Sequence, residues 1–206
     1  MKKIIVAGAG HGGLTASIHL ASKGYDVTVI EAGEREKMGH DWHDSLDFSA
    51  FDDAGIPRPS EDMYTFNIPT AFTNPSQTVR LDIPYEQGRG IYMDRKVLIN
   101  YLLSLAEEKG VKFIFEAEVR AAITEGERVV GVRYSKDGKD IIALCELLID
   151  AAGIHSPVRK SLPASCKIQK EIENRGVFHV HRVYFENTTG EKLDPPYRVN
   201  LFHMNK

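Results

Sequence analysis

Cysteine is scarce: the 206-residue chain has two, Cys145 and Cys166, in no CxxC or zinc-type spacing. A disulfide framework is thereby excluded, and a reducing compartment, the cytoplasm, is the expectation. Long apolar runs are also missing. No stretch approaches the roughly 20 residues of a membrane span, and the apolar start after Met1-Lys2-Lys3 is cut short by glycines, with no A-x-A-like cleavage site behind it. Neither charge sign dominates: 26 basic against 29 acidic side chains leave a net charge of −3, which argues against nucleic acid or an anionic membrane surface as partner. A small molecule is the expected partner. There is no internal repeat or low-complexity tract, and 42% hydrophobic with 27% charged residues excludes a disordered or collagen-like chain.

What the chain does have is concentrated at its start. Lys3 to Ala7 is apolar enough for a strand buried on both faces. It runs into Gly8-Ala9-Gly10-His11-Gly12-Gly13, after which Leu14, Ile18 and Ala21 recur at helical spacing up to Gly24. Asp26 to Ile30 reads as a second strand, ending at Glu31. This is one βαβ unit.

Further along, Tyr64–Ile68 and Val79–Ile83 alternate at period two and predict a pair of half-exposed strands. Asp94 predicts the N-cap of a helix running to about Lys109, with Leu98, Tyr101, Leu102 and Leu105 on one face. A third parallel strand is expected from Val111 to Phe115. An antiparallel meander follows, Arg120–Thr124, Arg128–Ser135 and Asp140–Leu144, with Asp137-Gly138 as a hairpin signal. Leu147–Ile149 returns to a continuous apolar strand, and Gly176–Glu186 and Tyr197–Met204 alternate again.

Gly8-x-Gly10-x-x-Gly13 between a strand and a helix suits a pyrophosphate. Its glycines permit a tight turn, backbone approach to the ligand and close helix packing, while the helix N-terminus attracts the anion. Glu31, eighteen residues beyond Gly13, stands where a carboxylate accepts the ribose hydroxyls and disfavours a 2′-phosphate. His11, inside the loop, is expected to hydrogen-bond locally. About eighty residues separate Glu31 from the third strand, a layout that favours FAD over NAD. The pairs His40/His43 and His179/His181 lack a third ligand, so no metal is expected, and Trp42 and Tyr64 read as core aromatics.

Residues 4–31 resemble, without a gap, the ADP-binding motif of glutathione-reductase-type FAD proteins. Tyr92-Met93-Asp94-Arg95 with Leu98 and Leu102 resembles a helix start of the geranylgeranyl reductase and flavin monooxygenase branch. Leu147 through Arg159 is similar to that branch's second motif, which usually ends Ala-Asp-Gly-x-x-Ser-x-x-Arg. The likeness covers about residues 1–165. It implies an α/β fold: a Rossmann-like FAD-binding domain over 1–165 with a parallel sheet and antiparallel meander, then the start of a mostly β substrate domain over 166–206, to which 60–90 contributes strands. It implies an FAD-dependent oxidoreductase relaying hydride or electrons to an organic substrate, with NAD(P)H as candidate donor. The cofactor-binding candidates are Gly8, Gly10, His11, Gly12, Gly13, Glu31, Arg95, Gly153, Ser156 and Arg159. Of these, Arg95 would lie near the phosphates, and Ser156 and Arg159 would cap and anchor the turn beneath the cofactor. No residue is identified as a catalytic acid or base.

Two departures matter. Ala152 replaces the aspartate of the second motif, which points towards the reductases, and Asp150 lies two residues earlier. The family's third motif has no counterpart, so the chain is expected to be the N-terminal part of a longer protein. The alternative readings are an NAD-dependent dehydrogenase and a non-catalytic dinucleotide-binding module.

Overall fold

A computed structural model describes residues 2–68, 70–76, 78–83, 90–172, 188–190 and 198–201. The chain divides into two compact units, Met1–Trp42 with Asp94–Val177, and His43–Met93 with Phe178–Lys206.

In the first unit Ile4, Ile5, Val6 and Ala7 are all buried and form β1 (Lys3–Ala7). Apolar residues on both faces suit the centre of a sheet covered on two sides. β1 lies between β2 (Asp26–Ile30) and the strand Leu147–Asp150, and Lys112–Ile114 adds to the far side of β2, all four parallel. Parallel neighbours need crossover connections. Helix α1 (His11–Ser22) supplies the first and the helix Arg95–Glu108 lies within the second. The two helices pack against each other. The Asp94 carboxylate accepts the Lys96 N–H at 2.7 Å, the N-cap expected from sequence, and Leu98, Ile99, Leu102, Leu103 and Ala106 are buried.

One boundary differs from the expectation. The apolar period begins at Leu14, but α1 begins at His11, because the Leu14 N–H already bonds to the Gly10 carbonyl at 2.9 Å. A first turn made largely of glycine has no apolar side chains to show its period.

The meander is formed by Ala117–Glu125, Arg128–Lys136 and Lys139–Leu144. Asp137 and Gly138 turn with φ of 51° and 72°, the paired positive values of a tight hairpin. Val119, Val132 and Tyr134 of the meander share a buried core with Ile5, Ala7 and Ile30 of the parallel sheet and Val158 of the short helix Pro157–Ser161. The meander is thereby fixed beside the ends of β1 and β2.

In the second unit both expected strands are present, shorter than their alternating runs, and each has a different partner. Thr65–Phe66 pairs with Gly90–Asp94, which also neighbours His43–Asp47, whereas Arg80–Ile83 pairs with Thr70–Thr73. Asn74 explains the second pairing: its side-chain oxygen accepts the Val79 N–H at 3.0 Å and closes the turn. Arg198–Leu201 runs parallel to Thr70–Thr73, a strand within the expected Tyr197–Met204. The expected strand Gly176–Glu186, with His179 and His181, lies outside the described residues. Among the described residues no helix is long and apolar enough to cross a membrane, and no group of three or more His, Cys, Asp or Glu is placed to hold a metal ion.

Candidate cofactor site

The glycine loop sits where β1 ends, and its tightness is measurable. The Gly8 N–H bonds to the Ile30 carbonyl at 2.8 Å, tying the loop to β2. Gly8 has φ of +99°, and a Cβ there would lie 2.5 Å from the Ala151 carbonyl oxygen. A Cβ on Gly13 would lie 2.0 Å from the Gly8 oxygen, so the first turn of α1 rests directly on the loop. Gly10 and Gly12 would meet nothing within 4 Å. Packing therefore demands glycine at 8 and 13, whereas 10 and 12 leave open backbone. No side chain caps the α1 N-terminus and its first turn carries no acidic residue, which leaves the positive helix end suited to an anion.

Glu31 leaves the end of β2 and turns to the loop. Its Oε2 accepts the Ala9 N–H at 2.7 Å and its Oε1 accepts the Gly33 N–H at 2.7 Å. Each carboxylate oxygen can accept a further bond, so the group is fixed in place and still able to receive hydroxyl donors. Ala9 and Gly33 were not legible as site residues, because only their backbone takes part and backbone leaves no trace in residue type.

The second motif meets the first here. The Ala151 N–H bonds to the Ala7 carbonyl at 2.9 Å, placing the turn after Leu147–Asp150 against Gly8 and Gly13. Ser156, almost wholly buried, caps the Pro157–Ser161 helix by accepting the Arg159 N–H at 3.1 Å. The Ser156 N–H bonds to the Gly153 carbonyl at 3.2 Å, and the Arg159 guanidinium folds back onto the Ile154 carbonyl. These contacts cap the short helix and tie Arg159 back onto the turn.

Between the motifs is a cavity of about 240 Å³ whose lining includes Gly8, Glu31, Val119, Ala152, His155 and Pro157. It is smaller than the ~300–1,000 Å³ of a site for a whole drug-sized ligand. His155 lies within the second motif, but that motif's spacing does not single it out. A neighbouring recess of about 470 Å³ shares Ala32 and Glu118 and has Lys37 and Lys136 on its walls.

Arg95 lies at the start of the long helix. Its N–H bonds to the Trp42 carbonyl at 2.8 Å, and its guanidinium lies 5.8 Å from the centre of the Trp42 ring, within cation–π range. The neighbouring Lys96 forms an ion pair with Asp41.

The residues present fit the adenosine diphosphate half of FAD: a loop that a Cβ would block at Gly8 and Gly13, an uncapped helix N-terminus for phosphate, and a fixed carboxylate for the ribose. Comparison with known proteins agrees. Digeranylgeranylglycerophospholipid reductase from Haloferax volcanii is 32% identical over 179 residues, covering 84% of this chain and 40% of that protein. Violacein synthase from Chromobacterium violaceum is 29% identical over 183 residues, 81% of this chain and 42% of that protein. The chain thus spans well under half the length of these relatives. In fold it is similar to a geranylgeranyl bacteriochlorophyll reductase-like protein from Thermoplasma acidophilum, with a TM-score of 0.65 at 18% identity over 78% of this chain and 41% of that one. Residues 1–193 match the family described as FAD binding domain, and the chain belongs to that family.

Proposed function

We propose that the whole protein is an FAD-dependent oxidoreductase acting on an organic small molecule, and that this chain supplies the adenosine diphosphate half of its cofactor site. In this reading Gly8, Gly10, His11, Gly12 and Gly13 present backbone and the α1 N-terminus to the pyrophosphate, and Glu31 receives the ribose hydroxyls. Arg95 adds positive charge towards the phosphates, and the turn of Gly153, Ser156 and Arg159 forms the floor. Bound flavin supplies the hydride and electron chemistry, and the protein's share is to hold, orient and shield it. NAD(P)H is the proposed electron donor. The reductase side of the family is supported by Ala152 in the aspartate position and by the Haloferax relative. The cytoplasm is the proposed location, supported by two cysteines without disulfide spacing. The second unit, with Thr70–Thr73, Arg80–Ile83 and Arg198–Leu201 in one sheet, is proposed as the beginning of the substrate domain.

The observation that carries this reading is the Glu31 carboxylate, held by the Ala9 and Gly33 N–H groups beside an uncapped helix N-terminus. Glu31→Gln removes the charge and makes one side-chain atom a donor facing a backbone N–H. Hydrogen bonds to a charged group contribute about 1.5–3 kcal/mol, so FAD affinity, measured by fluorescence titration, should fall about tenfold or more. Unchanged affinity would remove Glu31 from the site.

A further inference from the structure

Asp150 is the one acidic side chain of the second motif, and its hydrogen bonds fix its direction. Its Oδ2 lies 2.6 Å from the Ser156 hydroxyl and its Oδ1 accepts the Ala152 N–H at 3.1 Å. The Ser156 oxygen accepts the Arg159 N–H, and a serine hydroxyl has a single proton to give. That proton therefore points to Asp150, whose two oxygens both face donors. The chain of donors runs from the Arg159 N–H to Ser156 and from Ser156 to Asp150, across a turn whose Ala151 carbonyl would collide with any side chain at Gly8. Ala152, in contrast, brings only a methyl group to the cavity lining.

We infer that Asp150 is the positioning residue of the cofactor site: its carboxylate, through Ser156 and the Ala152 N–H, sets the turn on which the glycine loop rests, and FAD affinity depends on it without contact between Asp150 and the cofactor. This rests on the reading of the loop as an FAD site. Asn at 150 keeps an acceptor for the Ala152 N–H but turns a donor towards Ser156, so the buried Ser156 hydroxyl proton loses its acceptor at 150.

The test is an FAD titration of the full chain as wild type, Asp150→Asn, Ser156→Ala and the double variant. Thermal unfolding and the ³¹P resonances of bound FAD are recorded alongside. Each single change is expected to weaken binding about tenfold and to shift the bound phosphorus resonances. The double variant should bind no worse than the weaker single one, because both act through one network. A folded Asp150→Asn protein with lowered thermal stability but wild-type affinity and ³¹P spectrum would overturn the proposal and leave the FAD reading intact, and additive losses in the double variant would overturn it as well. If Asp150→Asn does not fold, Ser156→Ala, which keeps the Ala152 bond to Asp150, decides by the same two readouts. A wild-type chain that does not bind FAD would overturn the underlying reading and the proposal with it.

Discussion

In the proposed site glycine serves the loop for two different reasons, and alanine substitution separates them. At Gly13 the obstacle is the protein itself, a carbonyl oxygen 2.0 Å from where Cβ would stand. Gly13→Ala should therefore destabilise the chain by about 3 kcal/mol or more in thermal unfolding. At Gly10 nothing lies within 4 Å, so Gly10→Ala should leave unfolding within about 0.5 kcal/mol of wild type and still weaken FAD, because the added methyl group occupies the approach to the pyrophosphate. A large loss of stability in Gly10→Ala, or none in Gly13→Ala, would contradict this assignment. At this scale the sequence was informative where side chains act. Glu31 is a candidate from its offset, and Ser156 and Arg159 are candidates from their motif. Ala9 and Gly33 are not, because a backbone N–H is common to almost every residue.

Among the secondary-structure elements, those with a strong local signal were legible. β1 is an almost wholly apolar run, β2 is rich in β-branched residues, the long helix has its Asp94 cap, and the meander has its Asp137-Gly138 turn. The start of α1 was hidden by glycines, and the strand partners in the second unit depend on the Asn74 turn, which alternation alone does not specify. One cross-strand contact has a pH signature. Lys112 donates to Asp26 at 2.7 Å, joining Lys112–Ile114 to β2. This hydrogen bond, with the neighbouring positive charges, holds the Asp26 carboxyl below its ordinary range. A depressed carboxylate pKa contributes stability above its unfolded value, near 3.9, and loses it as pH falls through the folded value. Lys112→Met should therefore unfold at lower temperature than wild type at pH 7. The gap should be small, as for other exposed pairs, and should close below the Asp26 pKa; a gap that widens in acid would refute the linkage.

For the molecule as a whole, segment order carried more information than any single segment. A glycine loop with Glu31, a capped helix after a long insertion, and a meander leading to the second motif read together as an FAD protein, and the family match over residues 1–193 agrees. The Asp150 network was not legible, since it depends on distances across a turn. The central claim, that this chain forms an FAD site around the glycine loop and Glu31, is tested most directly by titrating the purified chain with FAD and, separately, with NADH. The account predicts saturable binding of one FAD per chain, weakened by Glu31→Gln, and much weaker binding of NADH. Tight NADH binding without FAD binding would contradict it.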